Sequence, residues 1–456
     1  MTHCAIALSL GAALAASVGV AAQEQPAEPA APPVLRLSLD QARERARASA
    51  PSVEEARALE EAARAEVDLS RAARRPQLEL SAGYTRLSDV PELTLALPGA
   101  PPRTIFPNLP DNYRTRLDGR LPLYTGGRAG ALTRAAEAEA AAAGGEVSAR
   151  EADLLLETTR AYWALVTLRE TERVLAESLV AYEAHLVDAR NRHEAGLAAR
   201  NEVLAVAVER DRAELARLRA SHAAAVAEAD LGRLVGAPPG TRMDPAETLA
   251  EPPTASPPLA PPGAEDTATL AAEALSRRPE RAALHERIAA AEARVEAERA
   301  AGRPQVTVGA GFDYANPNRR ILPPAAEWQD SWDVSLNLSW SLFDGGRGAA
   351  AARRAARRAD ALRRQAEDLD RRIRLEVTAR ALEAEAALRA VAVAARNVEA
   401  ARENSRVASE RHQAGVVPSS ERLDAEVLLL RARLDHTEAL AQLRTARAAL
   451  DRARGR

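Results

Sequence analysis

The chain of 456 residues contains no lysine, one cysteine and few aromatic residues. Its 62 basic side chains are therefore all arginine, and Cys4 has no second cysteine with which to form an internal disulfide. An excess of one charge is also missing, because the net charge is −3 although 28% of the residues are charged. This balance gives no reason to expect nucleic acid as a partner.

A long apolar run occurs once, at the N-terminus. Residues 1–22 are apolar and end in small residues before Gln23, which predicts a secretory signal peptide cleaved after Ala22. The alternative is a disordered or anchoring segment. Residues 23–37 follow as a lead-in rich in Pro and Ala. No later run approaches the ~20 apolar residues of a membrane helix. A secreted chain of this kind is periplasmic, extracellular or an outer-membrane β-barrel.

The remainder of the sequence is a tandem duplication. The hexamer RHEAGL at 192–197 returns as RHQAGV at 411–416, an offset of 219 residues, and LPLYTGGR at 121–128 matches WSLFDGGR at 340–347 with the same offset. We therefore expect a first repeat at 38–235 and a second at 267–456. Between them, residues 236–266 hold nine of the 28 prolines, which predicts an extended connector.

Each repeat contains a segment whose apolar residues alternate with polar ones, the pattern of a strand with two different faces. Such strands predict one β-hairpin at 77–124 and another at 305–343, with long loops at 88–112 and 315–331. Strands of ~10 residues have the length that crosses a bilayer. The alternative is a soluble antiparallel sheet with a core on one face, but an open sheet with an apolar outer face would aggregate.

Long helices follow the strands in both repeats, as expected from a sequence rich in alanine, arginine, leucine and glutamate. The spacing predicts helices over about 128–194 and 347–414, each about 100 Å long, and places a coiled-coil seam on the first. A helix at 52–75 and another at 198–235 together nearly match that length. Two short helices stacked end to end would lie beside one long helix, with the strands inserted part-way along a rod.

The chain resembles the TolC family of outer-membrane efflux proteins over about 38–455. The marks of the resemblance are the duplication, the opening pattern Leu39, Ala42, Ala46 and Pro51, the RPQ before the first strand of each repeat, the LFDGGR at Leu342–Arg347, and the two R-x-x-AG turns.

This resemblance implies an α+β membrane protein that forms a homotrimer. Four strands per protomer would build a 12-stranded transmembrane β-barrel in outer-membrane lipid, and the helices a coiled-coil barrel across the periplasm. The expected function is the outer-membrane channel of a tripartite efflux or type I secretion system. A periplasmic adaptor (a membrane fusion protein) and an inner-membrane pump would be its partners.

The turns would lie at the periplasmic tip, where the family docks its adaptor. The alternative is that these residues only shape the turn, and for both histidines packing on the seam is the simpler role. The resemblance makes the following residues candidates for adaptor contact: Arg192, His193, Gly196, Leu197, Arg411, His412, Gly415 and Val416.

Acidic residues stand just past each turn, at Glu202, Glu421 and Asp424. By resemblance they would narrow the periplasmic aperture, and in a trimer nine carboxylates would favour cations. Arg200 and Arg422 lie near enough in sequence to pair with them. The alternative is an ordinary solvated helix face.

Other function classes find little support. His193-Glu194 is not followed by a second metal-binding histidine, and the GGR sequences lack the spacing and the lysine of a phosphate loop. We therefore expect no catalytic, cofactor or metal site and no enzyme. A periplasmic coiled-coil adaptor or structural protein is the alternative function, although an adaptor would have one helical hairpin rather than a duplicated unit with strands.

Overall fold

The computed structural model describes residues 33–249, except 97 and 100, and residues 264–456. The predicted signal peptide and most of the lead-in lie outside these residues. Within them, no helix has both the length and the apolar character needed to cross a membrane.

The two repeats share the same order of helices and long strands, and the first also contains the short strands β3 and β4. The first contains α1 (Leu39–Ser49), α2 (Pro51–Ala72), β2 (Gln77–Arg86), β3 (Leu93–Leu95), β4 (Arg103–Phe106), β5 (Asp111–Tyr124), α3 (Arg128–Glu194) and α4 (Arg200–Leu234). The second contains α5 (Ala264–Arg277), α6 (Pro279–Ala300), β7 (Gln305–Asn316), β8 (Gln329–Ser339), α7 (Arg347–Gln413) and α8 (Ser419–Ala453). Two further strands, β1 (Val34–Leu37) and β6 (Arg242–Pro245), precede and follow the first set. The matching helices α2 and α6 have 22 residues each, α3 and α7 have 67, and α4 and α8 have 35.

The first helix begins at a capping box formed by Ser38 and Gln41. The Ser38 hydroxyl accepts a hydrogen bond from the Gln41 N–H, and the Gln41 side chain accepts one from the Ser38 N–H. Pro51 then stands at the first position of α2, where its missing N–H costs nothing. The break between α1 and α2 therefore follows from local chemistry alone.

The four long strands form one antiparallel sheet in the order β2-β5-β7-β8. Its two hairpins are joined through the pairing of β5 with β7, so β2 and β8 are the edges. One face carries exposed apolar side chains, among them Leu80, Leu336 and Leu338. The other face is polar and includes Arg114, Arg116 and Asp313. The helices all attach at one end of this sheet, and the loops 87–110 and 317–328 lie at the other.

Aromatic side chains mark both ends of the apolar face. At the loop end Tyr84, Tyr113, Trp328 and Tyr314 form a row, with successive ring centroids 5.0, 6.0 and 4.9 Å apart. At the helix end, the exposed aromatic residues are Tyr124, Trp340 and Phe343. Two aromatic girdles flanking an apolar band are typical of a sheet that faces lipid.

The second hairpin ends sooner than its sequence pattern predicts. The alternation of apolar and polar residues continues to Leu342, but β8 stops at Ser339, whose partner Gln305 is the first residue of β7. Beyond that pair the neighbouring chain belongs to the turn after α6, so no partner strand remains. Trp340 instead donates a hydrogen bond from Nε1 to the Gly302 carbonyl at 3.2 Å.

The lead-in and the connector meet in a small parallel sheet. Strand β1 pairs with β6 from Val34↔Arg242 to Leu37↔Pro245, inside segments for which the sequence predicts only an extended chain. The Glu247 carboxylate accepts a hydrogen bond from the Leu39 N–H at 3.0 Å, and the buried Tyr162 hydroxyl donates to the same carboxylate. The start of α1 and the connector are thereby fixed to α3.

The helices pack as two long hairpins. We call α3–α4 the first hairpin and α7–α8 the second hairpin. Helix α3 lies beside α2 and α4 in turn, as the stacking prediction requires, and it also contacts α6 and α8. Its buried seam includes Leu165, Leu175, Tyr182, Leu186 and Ala189.

Candidate functional site

Both helical hairpins reverse direction through the same backbone turn. Gly196 has φ of 72° and Gly415 has φ of 73°. The N–H of Leu197 donates to the Arg192 carbonyl at 2.7 Å, and the N–H of Val416 donates to the Arg411 carbonyl at 2.9 Å. These are Schellman helix ends, in which glycine takes the left-handed conformation that L side chains avoid. The repeated glycine of the two hexamers is therefore explained by the turn.

The apolar residue after each glycine is exposed. In a Schellman end this residue commonly packs back on the last helical turn. Here the side chain of Leu197 is 80% exposed and that of Val416 is 65% exposed. Each hairpin therefore presents an apolar side chain at its end.

The two histidines of the turns form equivalent hydrogen bonds but lie in different surroundings. His193 Nδ1 is 2.9 Å from the Ala198 carbonyl, and His412 Nδ1 is 3.2 Å from the Val417 carbonyl. A carbonyl only accepts, so Nδ1 carries the proton in both rings. His412 is buried, whereas His193 is exposed. The predicted packing of His193 on the seam is therefore wrong for this protomer, since α3 covers His412 and no described element covers His193.

A third histidine, His185 on α3, is fully buried between the hairpins. Its Nδ1 is 2.9 Å from the Glu426 carboxylate and its Nε2 is 3.1 Å from the Ser419 hydroxyl, both on α8. Its ring centroid lies 6.2 Å from that of His412. Both ring nitrogens are thus satisfied by groups from the opposite hairpin.

Asp188 continues this contact between the hairpins. Its carboxylate lies 3.6 Å from Arg422, 3.7 Å from His412 and 3.4 Å from Arg192. Arg422 also donates from Nε to Glu426 at 3.0 Å. We call His185, Asp188, His412, Ser419, Arg422 and Glu426 the inter-hairpin network. Carboxylates, guanidinium and imidazoles alternate in it, so each buried polar group has a partner.

The three predicted aperture acids lie in different surroundings. Glu421 is exposed and pairs with Arg411 of its own turn at 3.1 Å, Asp424 is exposed, and Glu202 is half-buried. The predicted pairing of these acids with Arg200 or Arg422 is wrong in the described residues. Arg422 is held by Asp188 and Glu426, which lie deeper between the hairpins.

Of the inter-hairpin network, the sequence pattern indicated only His412 and Arg422. Comparing the two repeats position by position would have found it. Four of its members break the internal symmetry at the offset of 219 residues. His185, Asp188, Arg422 and Glu426 correspond to Asn404, Val407, Val203 and Ala207.

Within the described residues, no group of three or more His, Cys, Asp and Glu side chains is arranged to hold a metal ion. The arrangement at the tip offers hydrogen bonds, charge and apolar surface.

Comparison with known proteins gives a consistent result. A sequence model of the family described as Outer membrane efflux protein matches residues 42–237 and 270–456. Protein CyaE of Bordetella pertussis is 31% identical over 360 residues, which covers 75% of this chain and 71% of that protein.

Two solved structures show the same fold at lower identity. The outer membrane protein VceC from Vibrio cholerae superposes with a TM-score of 0.74 at 21% identity, covering 91% of this chain and 96% of that one. The open state of the MtrE outer membrane channel of Neisseria gonorrhoeae gives a TM-score of 0.74 at 19% identity, covering 91% and 88%.

Proposed function

We propose that the chain acts as a homotrimer whose helical tip binds a periplasmic adaptor. The chain belongs to the outer membrane efflux protein family, and it is an outer-membrane channel of an efflux or secretion system that reaches into the periplasm. The family consists of transport channels rather than enzymes, and its members are trimers that work with an adaptor and an inner-membrane pump. The fold is that of an α+β membrane channel with a β-barrel and a helical coiled-coil barrel.

The open sheet is the observation that carries the trimer. Strands β2 and β8 have one unpaired edge each, and the face that holds Leu80 and Leu336 is exposed. An unpaired edge beside an apolar face is unstable in water. Pairing β8 of one copy with β2 of the next removes both edges, and three copies of a four-stranded sheet make the twelve strands of an even-numbered barrel.

The internal duplication supports the same assembly for the helices. Helix α3 contacts α8 within the protomer. By the repeat symmetry, α7 of one protomer would contact α4 of its neighbour. The side chains that would meet there include Val407, Leu204 and Val208, which are exposed in the single chain. Contacts between protomers at this level are then apolar, whereas the contact within a protomer is the inter-hairpin network.

The tip provides the docking surface in this proposal. Leu197 and Val416 supply apolar contact, as exposed apolar side chains do in binding surfaces. Arg192, His193, Gly196, Arg411, His412 and Gly415 hold these two side chains at the turn. The inner-membrane pump reaches the channel through the adaptor.

The acids Glu202, Glu421 and Asp424 form the periplasmic aperture in this proposal. Three copies bring nine carboxylates to one level, and such a concentration of negative charge attracts cations. The Arg411–Glu421 ion pair restrains one of the three acids within each protomer.

The assembly is tested by extraction of the full chain from outer-membrane fractions. We expect a trimer in detergent that resists heating, and conducting channels in planar bilayers. A monomeric, water-soluble product would overturn the proposal and favour the coiled-coil adaptor.

A further inference from the structure

The polar face of the sheet encloses a cavity of about 470 Å³ at the end remote from the helices. Its floor is made of small residues of the polar face, among them Ser81, Gly83 and Ala315. A Cβ atom at Gly83 would meet no atom within 4 Å, so the space above the strand is open. The loop that follows β7 forms the opposite wall with Asn318, Arg319 and Arg320.

This loop is held in a defined position. Asn318 is buried, and its Nδ2 donates to the Gln329 carbonyl at 3.1 Å and lies 3.0 Å from the Ser331 hydroxyl. The Asn318 Oδ1 accepts the Arg320 N–H at 3.0 Å, which closes a short side-chain turn. Arg319 donates to Asn112 across the cavity at 3.3 Å. A buried polar anchor therefore fixes the loop that carries the two arginines, whose side chains remain exposed.

Positive charge is in excess around the cavity. Three of its lining residues are arginines, Arg114, Arg319 and Arg320, and the one acidic lining residue is Asp313. Asp313 already accepts from Arg114 at 2.5 Å and from Arg116.

Arg116 does not add to this excess. It pairs with Asp118, Asp313 and Asp333, so its charge is balanced by neighbours on the sheet. Arg114 shares Asp313 with Arg116, and Arg320 lies 3.7 Å from Asp333. Arg319 has no carboxylate partner among the described residues, so positive charge remains in excess at the open space. Planar guanidinium groups match the geometry of carboxylates and phosphates.

We propose that this cavity is a binding subsite for an organic anion, with a carboxylate or phosphate group held by Arg114, Arg319 and Arg320. The inference rests on the proposed function, because the polar face becomes the wall of the lumen only when the barrel closes. Three copies then place three such subsites around the outer mouth of the channel. Exported molecules that carry an anionic group would pause there before release.

The test uses purified full-length channels in planar bilayers, with citrate and inorganic tripolyphosphate as probes on the side facing the loops. We expect either probe to reduce the current of the wild-type channel at submillimolar concentration. In R319Q/R320Q the concentration for half block should rise at least 10-fold. The neighbouring loop offers a matched control, because Arg103 on β4 lies outside the cavity lining, and R103Q should keep the wild-type value.

A second variant separates a built site from general charge screening. N318A keeps every charge but removes the anchor of the loop, and we expect it to weaken the block at least 3-fold. Equal block in all variants, or equal weakening by R103Q and R319Q/R320Q, would overturn the subsite. A wild-type chain that forms no conducting trimer would instead contradict the proposed function, so the two failures are distinct.

Discussion

At the scale of single residues, the tip contains two kinds of charge. Glu421 and Asp424 are exposed, whereas the side chains of Arg422 and Glu426 are only 15% and 13% exposed between packed helices. Exposed charges act on ions that pass and contribute little to stability. Charges that are mostly removed from water and paired hold the hairpins together, because removing one partner leaves the other unsatisfied.

The exposed acids should control conduction. The double variant E421A/D424A removes two of the three carboxylates of each protomer, so we expect higher single-channel conductance or weaker cation selectivity. Planar-bilayer recordings in a salt gradient measure both quantities. E399A/E403A removes two exposed acids of α7 that lie about 15–20 Å from the turn along the helix, and it serves as the control. Unchanged conductance and selectivity would count against the aperture assignment.

The buried charges should control the separation of the hairpins. The variant E426A removes the carboxylate that contacts both His185 and Arg422. We expect the local contact to weaken by about 2 kcal/mol, the cost of leaving a buried charged group without its partner. Amide hydrogen exchange around 182–189 and 419–426 should then accelerate roughly 30-fold.

A matched control for this variant is E399A, because Glu399 pairs with Arg402 on the exposed face of α7. It should leave exchange at the tip unchanged. Equal protection in E426A and the wild type would show that the inter-hairpin network does not hold the hairpins together.

The apolar side chains of the turns should control docking. L197D/V416D places a carboxylate on each exposed tip position, so we expect loss of adaptor binding with the trimer intact. Cross-linking to the adaptor in membranes and the heat-resistance of the trimer measure the two properties. The conservative pair L197M/V416I should retain binding. Retention of binding by the aspartate pair would contradict the docking assignment.

At the scale of elements, the ends of helices are set by local chemistry and the ends of strands by their partners. The residue before each Gly-Gly pair accepts a hydrogen bond from a backbone N–H at the start of a long helix. Thr125 Oγ1 accepts from the Ala129 N–H at 3.2 Å, and the Asp344 carboxylate accepts from the Gly348 N–H at 2.7 Å. The backbone N–H groups of Gly348 and Gly346 both donate to the Asp344 carboxylate and hold its pKa below the ordinary value.

A second element contact joins α5 to the end of α8. Burial disfavours the charged form of Glu273, but hydrogen bonds from Arg454 at 2.8 Å and Arg456 at 2.7 Å outweigh it, and the pKa of Glu273 is lowered. A lowered pKa means that the contact stabilises the folded state above the ordinary carboxyl value near 4.3. The stabilisation is lost as the pH falls through the lower value of the folded state.

The variant E273Q should therefore lose about 1 kcal/mol of local stability at pH 7, the amount expected for a charged hydrogen-bonded pair that is partly screened. At pH 3 the difference between the variant and the wild type should be smaller than at pH 7. Hydrogen exchange in α5 at the two pH values measures this difference. An equal difference at both pH values would show that the charge of Glu273 is not responsible. E383Q, which changes a carboxylate paired on one helix with Arg380, is the control.

The same division explains what could be predicted from the sequence. The bounds of α3 and α7 follow from the helical period of their apolar residues, from the glycines that flank them and from the length of the segment between those glycines. All three are local features of the sequence. The end of β8 does not, because its apolar alternation continues past the last residue of β7 that can pair. The pairing of β1 with β6 and the contacts of His185 also escaped prediction, since both join segments that are far apart in the chain.

At the scale of the whole molecule, the proposed aperture acids and the arginines of the cavity lie at opposite ends of the rod. The acids Glu202, Glu421 and Asp424 are at the helical tip, and Arg114, Arg319 and Arg320 line the cavity at the other end of the sheet. Between them the polar face of the sheet carries paired charges, as in the contacts of Arg116. This polarity belongs to the assembled channel, because it requires that the polar faces of all copies point inward.

The duplication also has a numerical consequence for any binding partner. In the proposed trimer the six turns have the same backbone, but Asp188 lies beside His412, whereas the repeat symmetry would put Val407 beside His193, so the ring repeats every second turn. An adaptor that contacts only the Schellman ends and their apolar side chains has six equivalent binding sites. An adaptor that also contacts the histidine ring has three. The stoichiometry of the complex is therefore decided by whether recognition stops at the backbone or extends to this one ring.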